Sequence, residues 1–173
     1  MNSVEAIKEV PELIGRYVEG AELKRVVPPI PGSDEPVGSW AYSLDGVLTL
    51  VNFLAGDAAE IRITNGLAID VPYKPEVLEY VNWLNMKQLV FGRLFVTGDL
   101  PFMIESGNGL CAIFMQELVY GSGLSYEFPP SIQGLINLFG RLGGQSSRFA
   151  GELLERFGGR RFTDNEAGIL LNF

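Results

Sequence analysis

The sequence contains no histidine and a single cysteine, Cys111, among its 173 residues. The absence of histidine excludes Ser-His-Asp and Cys-His catalytic arrangements, imidazole proton transfer and histidine-containing zinc sites. One cysteine cannot form an internal disulfide, which is typical of proteins in a reducing compartment. Because Cys111 stands in an apolar segment and no histidine can form a thiolate pair with it, we expect a buried, unreactive thiol.

Positive charge is also scarce, because 13 lysines and arginines stand against 21 aspartates and glutamates, giving a formal charge of −8. Binding to nucleic acid or anionic lipid requires clustered basic residues, so neither partner is expected. We interpret the pair Arg160-Arg161 as a solvated helix end. No run of about 20 apolar residues is long enough for a membrane helix, and Met1–Glu5 lacks the basic start of a secretory signal. A cytoplasmic location is therefore expected.

Motifs for catalysis, cofactors and metals are missing as well. The aspartates stand beside turn residues, where aspartate is structurally favoured, and they form no recognisable catalytic pair. The segment from Gly140 to Ser147 has the glycines of a phosphate loop but lacks its lysine and spacing. We predict instead that a helix stops at Gly143-Gly144 and that a new helix begins at Ser146 or Ser147. No catalytic, cofactor-binding or metal-binding residue is predicted.

An amphipathic helix followed by strongly apolar strands is the most informative segment of the chain. Pro75 suits a first helical turn, and Val77, Tyr80, Val81 and Leu84 share one helical face. The following strands are predicted at residues 89–96, at Phe102–Ile104 and, after a turn at residues 107–109, from Leu110 to Tyr120. The last of these strands is apolar on both of its alternating faces. Either both faces are therefore covered by helices, or one of them is covered by another subunit.

The remaining elements complete an α+β pattern. Residues 3–20 are predicted to be helical, with a stop at Gly20, and Pro28–Pro31 is a stiff connector. Turns at Asp45-Gly46, near Gly56-Asp57 and at Asn65-Gly66 predict antiparallel hairpins, and Gly158-Gly159 is expected to end the last helix. The predicted fold class is α+β, an antiparallel sheet with helices packed on it, in the order α-β-β-β(-β)-α-β-β-β-α(-α).

We expect one domain, because 173 residues are too few for a second full core. Its predicted parts are an N-terminal helical segment (1–25), a proline-rich linker (26–39), an α+β body (40–159) and a C-terminal tail (160–173). The tail is too short to fold alone, so it either packs on the body or is loose.

From Trp40 to Gly159 the chain resembles the bacterial YbjN family, whose fold is similar to that of class I type III secretion chaperones. The resemblance depends on the order of elements, on the helix end Val81-Asn82-Trp83-Leu84-Asn85 that leads into Phe91–Phe95, and on the closing Phe157-Gly158-Gly159. It implies a type III secretion chaperone-like fold and no enzymatic residue. It also implies a regulator of sensory transduction, or a dimeric chaperone that binds extended segments of other proteins.

Two functions remain open. The first is a non-enzymatic, chaperone-like or regulatory protein-binding module that acts as a homodimer. Its expected partner or dimer surface lies on the doubly apolar strands, although the same side chains could fill the core instead; these residues are Phe91, Phe95, Phe114, Met115 and Val119. The alternative is a small-molecule binder or histidine-free enzyme with a pocket between sheet and helices. Convergence of polar groups on one face, for instance Tyr42, Arg62, Arg93 and Glu105, would favour it, but their scatter along the sequence gives no reason to expect this.

Overall fold

A computed structural model describes residues 12–27, 38–54, 60–89, 92–97, 109–120 and 132–167. Within these ranges the chain forms helices α1 (residues 12–17), α2 (Pro75–Lys87) and α3 (Ile132–Phe157), and a short 3-10 helix, Asp164–Glu166. The strands are β1 (Ala21–Val27), β2 (Gly38–Leu44), β3 (Val47–Leu54), β4 (Glu60–Pro72), β5 (Arg93–Thr97) and β6 (Leu110–Tyr120). The predicted strand at Phe102–Ile104, the turn near Gly56-Asp57 and the connector Pro28–Pro31 lie outside the described residues.

The six strands form one antiparallel sheet in the order β1-β2-β3-β4-β6-β5. Sheet and helices alternate along the chain as predicted, so the α+β fold class is confirmed. The turn at Asp45-Gly46 is also confirmed, with φ angles of 49° and 75°. Two successive positive φ angles are typical of the tight turns whose twist matches an antiparallel hairpin.

The N-terminal prediction was wrong for the segment after Gly20. The helix ends by Tyr17 and Gly20 has a φ of 77°, but residues 21–27 form β1 and pair with β2. Sequence analysis assigned this segment partly to a helix and partly to a linker. The alternation of apolar and charged residues in Ala21–Lys24 is interrupted at Arg25, where the pairing with β2 shifts register, so the strand pattern is too short to recognise in the sequence.

The hairpin predicted at Asn65-Gly66 does not form, because both residues lie inside the continuous strand β4. Asn65 is fully buried, and the Thr49 hydroxyl donates a hydrogen bond to its Oδ1 over 2.6 Å. Gly66 leaves room for the Phe162 ring, since a Cβ at Gly66 would stand 2.6 Å from Phe162 Cδ2. In β4, Asn65 therefore provides a buried hydrogen-bonding amide, and Gly66 leaves space for the Phe162 ring.

The predicted helix break at Gly143-Gly144 is also wrong, because α3 is continuous from Ile132 to Phe157. Gly143 is buried against the β2–β3 turn, and a Cβ there would lie 3.4 Å from Leu44 Cβ and 3.2 Å from Asp45 Oδ2. A glycine inside a helix costs about 1 kcal/mol relative to alanine, a cost that packing can offset. Here the missing side chain lets α3 approach the sheet closely.

The main core lies between the sheet and the helices. Ile14 and Val18 from the α1 region, Val77, Val81 and Leu84 from α2, and Phe139, Leu142, Phe149 and Leu153 from α3 pack on one sheet face. The apolar stripe predicted for α2 is therefore its buried face. None of the helices in the described part of the chain is long and apolar enough to cross a membrane.

The opposite sheet face carries a second, smaller core to which the start of the predicted tail contributes. Gly158 and Gly159 end α3 as predicted, with φ angles of 76° and 89°. Arg160 then pairs with Ile69 through two backbone hydrogen bonds of 2.9 Å. Residues 160–167 therefore pack on the body. The members of this second core are Ala41, Leu48, Leu50, Ile69, Ala112, Phe114, Phe162 and Ala167.

An ion-pair cluster fixes this closing segment. Arg160 Nε donates to Asp70 Oδ2 over 2.7 Å, and Arg160 Nη2 donates to Glu166 Oε1 over 2.6 Å. Thr163 N–H donates to Glu166 Oε2 over 2.7 Å, which completes a capping box at the 3-10 helix. Arg160 is thus a structural clamp, which corrects the interpretation of Arg160-Arg161 as a solvated helix end.

Candidate protein-binding surface

The strand residues predicted to form a partner surface do not lie on one surface. Phe95 is 43% exposed at the edge strand β5, whereas Phe114 and Met115 are buried. Val119 pairs with Ile61 through the backbone of β6, and Phe91 lies outside the described residues. Phe114 and Met115 lie on opposite faces of β6, and each packs in one of the two cores of this chain. At these two positions the apolar character of both faces is therefore explained by core packing.

Met115 and Phe114 both have contacts inside the protein. The Gln145 side-chain amide donates to Met115 Sδ over 3.3 Å, which places Met115 under α3. On the other face, the ring centroids of Phe114 and Phe162 are 5.3 Å apart. Neither side chain is available to a partner without opening a core.

Phe95 borders a small hollow on the second sheet face. The hollow has a volume of about 120 Å³ and is lined by Thr64, Phe95, Phe114 and Gln116. The Gln116 amide donates to the Thr64 hydroxyl over 3.3 Å. This space could accept one small side chain, but it is too small for a drug-sized ligand.

The edge of β5 is partly closed against strand addition by Asn85 at the end of α2. Asn85 Nδ2 donates to the Leu94 carbonyl over 3.0 Å, and Leu94 N–H donates to Asn85 Oδ1 over 2.9 Å. An extended peptide would need the same two backbone groups to add a strand here. The side chain of Asn85 therefore protects the sheet edge in the way that natural proteins commonly do.

A second group of apolar side chains, some of them exposed, lies on the outer side of α2 and at the end of α3. We call it the aromatic surface and define it as Tyr80, Trp83, Met86, Arg156 and Phe157. Trp83 is 42% exposed and Met86 is 73% exposed, although both are large apolar side chains. The two residues are three positions apart on a helix and are therefore neighbours. Such a cluster is a recognised feature of interaction sites.

Aromatic contacts hold this surface in one arrangement. Tyr80 stacks on Trp83 with ring centroids 5.6 Å apart and an interplanar angle of 19°, and Tyr80 meets Phe157 edge-on, also at 5.6 Å. The guanidinium of Arg156 lies over the Tyr80 ring, with Cζ 4.4 Å from the centroid. Tyr80 and Phe157 are half-buried and pack against the main core, so they anchor the exposed Trp83.

Polar contacts add to the same arrangement. The Tyr80 hydroxyl donates to Glu152 Oε2 over 3.1 Å, and Arg148 Nε lies 3.7 Å from Glu152 Oε1. Burial and the hydrogen bond to Glu152 raise the pKa of Tyr80, while Arg156 lowers it to a lesser extent. The phenol therefore stays protonated and donates to the carboxylate across the neutral pH range.

Sequence analysis missed Trp83 and Met86 as site residues. The available signal was their position, because both fall outside the stripe of Val77, Val81 and Leu84 that faces the core. A tryptophan and a methionine on the polar side of an amphipathic helix are unusual, and such residues are enriched at protein interfaces.

The polar residues proposed for a small-molecule pocket do not share a face. Tyr42 is fully buried in the main core, whereas Arg62 and Arg93 alternate with core residues and so belong to the second face. Glu105 lies outside the described residues. Tyr42 and the two arginines therefore do not converge between sheet and helices, as their scatter along the sequence led us to expect.

A different, open groove lies where α1, the β2–β3 turn and the middle of α3 meet. Its volume is about 830 Å³, and Tyr17, Glu19, Asp45, Asn137 and Arg141 contribute to its lining. The groove is separate from the aromatic surface, which uses the last turns of α3. Its mixture of acidic, basic and amide groups could bind a small polar molecule.

The residues that the structure describes include neither a candidate metal site nor an activated thiol. No group of three or more aspartate, glutamate or cysteine side chains within them could hold a metal ion. Cys111 is buried in β6, and desolvation raises the pKa of its thiol to about 11. A thiol with a raised pKa is a poor nucleophile at neutral pH.

Comparison with known proteins yields no relative. No protein-family model matches this chain, and no curated protein and no solved structure matches it either. The resemblance to the YbjN family and to the secretion chaperones therefore stays a prediction from the sequence.

Proposed function

We propose that this chain is a non-enzymatic protein-binding module, chaperone-like or regulatory in type, that acts as a homodimer. The observation that carries the proposal is the exposed aromatic surface, in which Trp83 and Met86 are exposed and Trp83 stacks on Tyr80, which packs against the main core. Adjacent exposed apolar side chains are a feature of protein interaction sites, which supports binding of another protein at this surface.

The composition of the aromatic surface supports protein binding in particular. Tryptophan, tyrosine and arginine dominate the residues that contribute most to binding energy at protein interfaces. The stacking of Tyr80 on Trp83 and the position of Arg156 over the Tyr80 ring order these side chains in the free protein. Ordering before binding lowers the entropy lost on association.

The proposed partners and location follow from charge and cysteine content. A formal charge of −8 disfavours nucleic acid and anionic membranes as partners. The single cysteine fits a reducing compartment, and we propose the cytoplasm. The chaperone-like role itself is supported by the sequence resemblance.

The test is the molar mass of the purified chain by sedimentation velocity, with Trp83→Ala and a matched control, Tyr17→Ala. Tyr17 is 55% exposed and lies in the groove, away from the aromatic surface. We expect a dimer whose dissociation constant rises at least tenfold in Trp83→Ala, as at a binding hot spot, and is unchanged in Tyr17→Ala. A strict monomer at about 100 µM would contradict the proposal, since that concentration detects even weak dimers.

A second candidate function, small-molecule binding, is favoured by the groove of about 830 Å³. Its size is within the usual range of ligand pockets, about 300–1,000 Å³. A metabolite that binds there would raise the melting temperature of the wild-type protein, and Arg141→Ala would remove the shift. The absence of any shift across a metabolite panel would argue against this candidate.

A further inference from the structure

We infer that the partner of the aromatic surface is a second copy of this chain, docked by antiparallel packing of the two α2 helices around Trp83. This inference rests on the proposed function and adds the geometry of the interface. It starts from the order of side chains along the outer side of α2.

The outer side of α2 is self-complementary in sequence. Glu79 stands four residues before Trp83 and Lys87 stands four residues after it, and all three are exposed. At 1.5 Å per residue, each charge lies about 6 Å from Trp83 along the helix axis, in opposite directions. At about 100° per residue, Glu79 and Lys87 lie about 40° to either side of Trp83 around the helix axis, whereas the buried Val77, Val81 and Leu84 lie about 100–160° from Trp83.

A two-fold axis at Trp83 would bring these groups into register. An antiparallel partner helix places its Lys87 opposite Glu79, and its Glu79 opposite Lys87, so that two opposite-charge pairs form at once. The acidic and the basic position on one helix therefore each have a matching position on the other, with Trp83 at the centre.

Other packings of the same face lack this match. A parallel arrangement of the two helices would set Glu79 against Glu79 and Lys87 against Lys87, which repels at both ends. A shift by one helical turn would leave Trp83 facing a charge instead of its symmetry mate. Charge complementarity thus selects a second copy in one orientation as the occupant of this surface.

Charge-reversal variants test the orientation directly by sedimentation velocity. Glu79→Lys and Lys87→Glu each create two like-charge contacts in a homodimer, so each alone should raise the dissociation constant about tenfold. An equimolar mixture of the two variants restores opposite charges at both ends, so a heterodimer with nearly wild-type affinity should form. Glu12→Lys, an exposed charge on α1, is the control and should leave dimerisation unchanged.

The outcomes separate the inference from the proposed function. If the wild-type chain is a dimer but the two variants dimerise normally, or their mixture shows no rescue, the α2 pairing is wrong while a homodimer remains. If the wild-type chain stays monomeric, both the pairing and the homodimer fail. Weaker dimerisation of each single variant than of the wild type supports the antiparallel register. In a parallel arrangement the wild type would already have like charges at both ends, so neither substitution would add a repulsive contact.

Discussion

Two aromatic clusters near the end of the chain have similar chemistry and opposite exposure. In one, Phe162 packs on Phe114, and both rings are buried. In the other, Phe157 packs on Tyr80 beside Arg156, and the adjoining Trp83 is 42% exposed. The first cluster closes a sheet face, whereas the second remains open. Composition alone therefore does not distinguish a structural cluster from a binding surface, but exposure does.

The two clusters lie on different sides of the sheet because the chain changes sides immediately after α3. Gly158 and Gly159 both have positive φ, and a Cβ at Gly159 would stand 2.6 Å from the Ile69 carbonyl oxygen. Only glycine fits this approach without strain. The comparison predicts that substitutions in the buried cluster change stability, while substitutions in the exposed cluster change association.

The largest expected effect is that of Phe162→Ala on the buried cluster. Removing a buried ring leaves a cavity over Gly66 and Phe114, so the free energy of unfolding should fall by about 3 kcal/mol. Urea denaturation measures this change, with Tyr17→Ala as an exposed aromatic control. A loss below about 1 kcal/mol would mean that the ring is not part of the stabilising core.

Gly66→Ala should have the next largest effect. A methyl group at Gly66 would overlap the Phe162 ring, so we expect a loss of about 1–3 kcal/mol from overpacking. In a Phe162→Ala background the ring is gone, and Gly66→Ala should then cost much less. Equal costs in the two backgrounds, measured as a double-mutant cycle, would show that the two residues do not interact.

The ion-pair cluster of the closing segment predicts a pH dependence. Burial alone would raise the pKa of Glu166, but the hydrogen bonds and charge of Arg160, together with the Thr163 N–H, outweigh it and lower the pKa below 4.5. A carboxylate with a lowered folded-state pKa stabilises the protein above pH 4.5, and this stabilisation is lost as pH falls through the folded value.

Glu166→Gln should therefore cost about 1 kcal/mol at pH 7, a modest amount because Arg160 is half exposed. The difference between wild type and variant should shrink as pH falls below 4.5. Glu155→Gln, on the exposed side of α3, serves as the control. A difference that is constant with pH would assign the effect to packing instead of charge.

The smallest expected effect on stability is that of Trp83→Ala in the exposed cluster. Loss of stacking on Tyr80 costs about 0.5–1.5 kcal/mol, and the better helix propensity of alanine partly offsets this loss. The free energy of unfolding of the monomer should therefore change by less than about 1 kcal/mol. A loss as large as that of Phe162→Ala would mean that both clusters are structural, and the comparison would fail.

The sequence predicts the elements that local patterns determine. The apolar stripe of α2, Pro75 in its first turn, the turn at Asp45-Gly46 and the helix end at Gly158-Gly159 were all found where expected. In each case neighbouring residues in the chain are enough to favour the observed backbone.

Sequence patterns are misleading where a contact with a distant residue determines the backbone conformation. Asn65-Gly66 resembles a turn, but the Phe162 ring and the Thr49 hydroxyl use these residues inside a strand. Gly143 resembles a helix stop, but it is the contact point for Leu44. The candidate site was missed for a different reason, because the apolar stripe of α2 already placed Trp83 and Met86 outside the buried face, and this signal was not used.

The most direct test of the central claim uses the two tryptophans of the chain, Trp40 and Trp83, as reporters. Trp40→Phe leaves Trp83 as the sole tryptophan on the exposed aromatic surface, and Trp83→Phe leaves the half-buried Trp40. Acrylamide quenching of each variant should be followed from about 1 to 100 µM protein, the range in which weak dimers form. We predict that Trp83 becomes protected as the concentration rises while Trp40 does not change. Quenching of Trp83 that is independent of concentration would contradict the account.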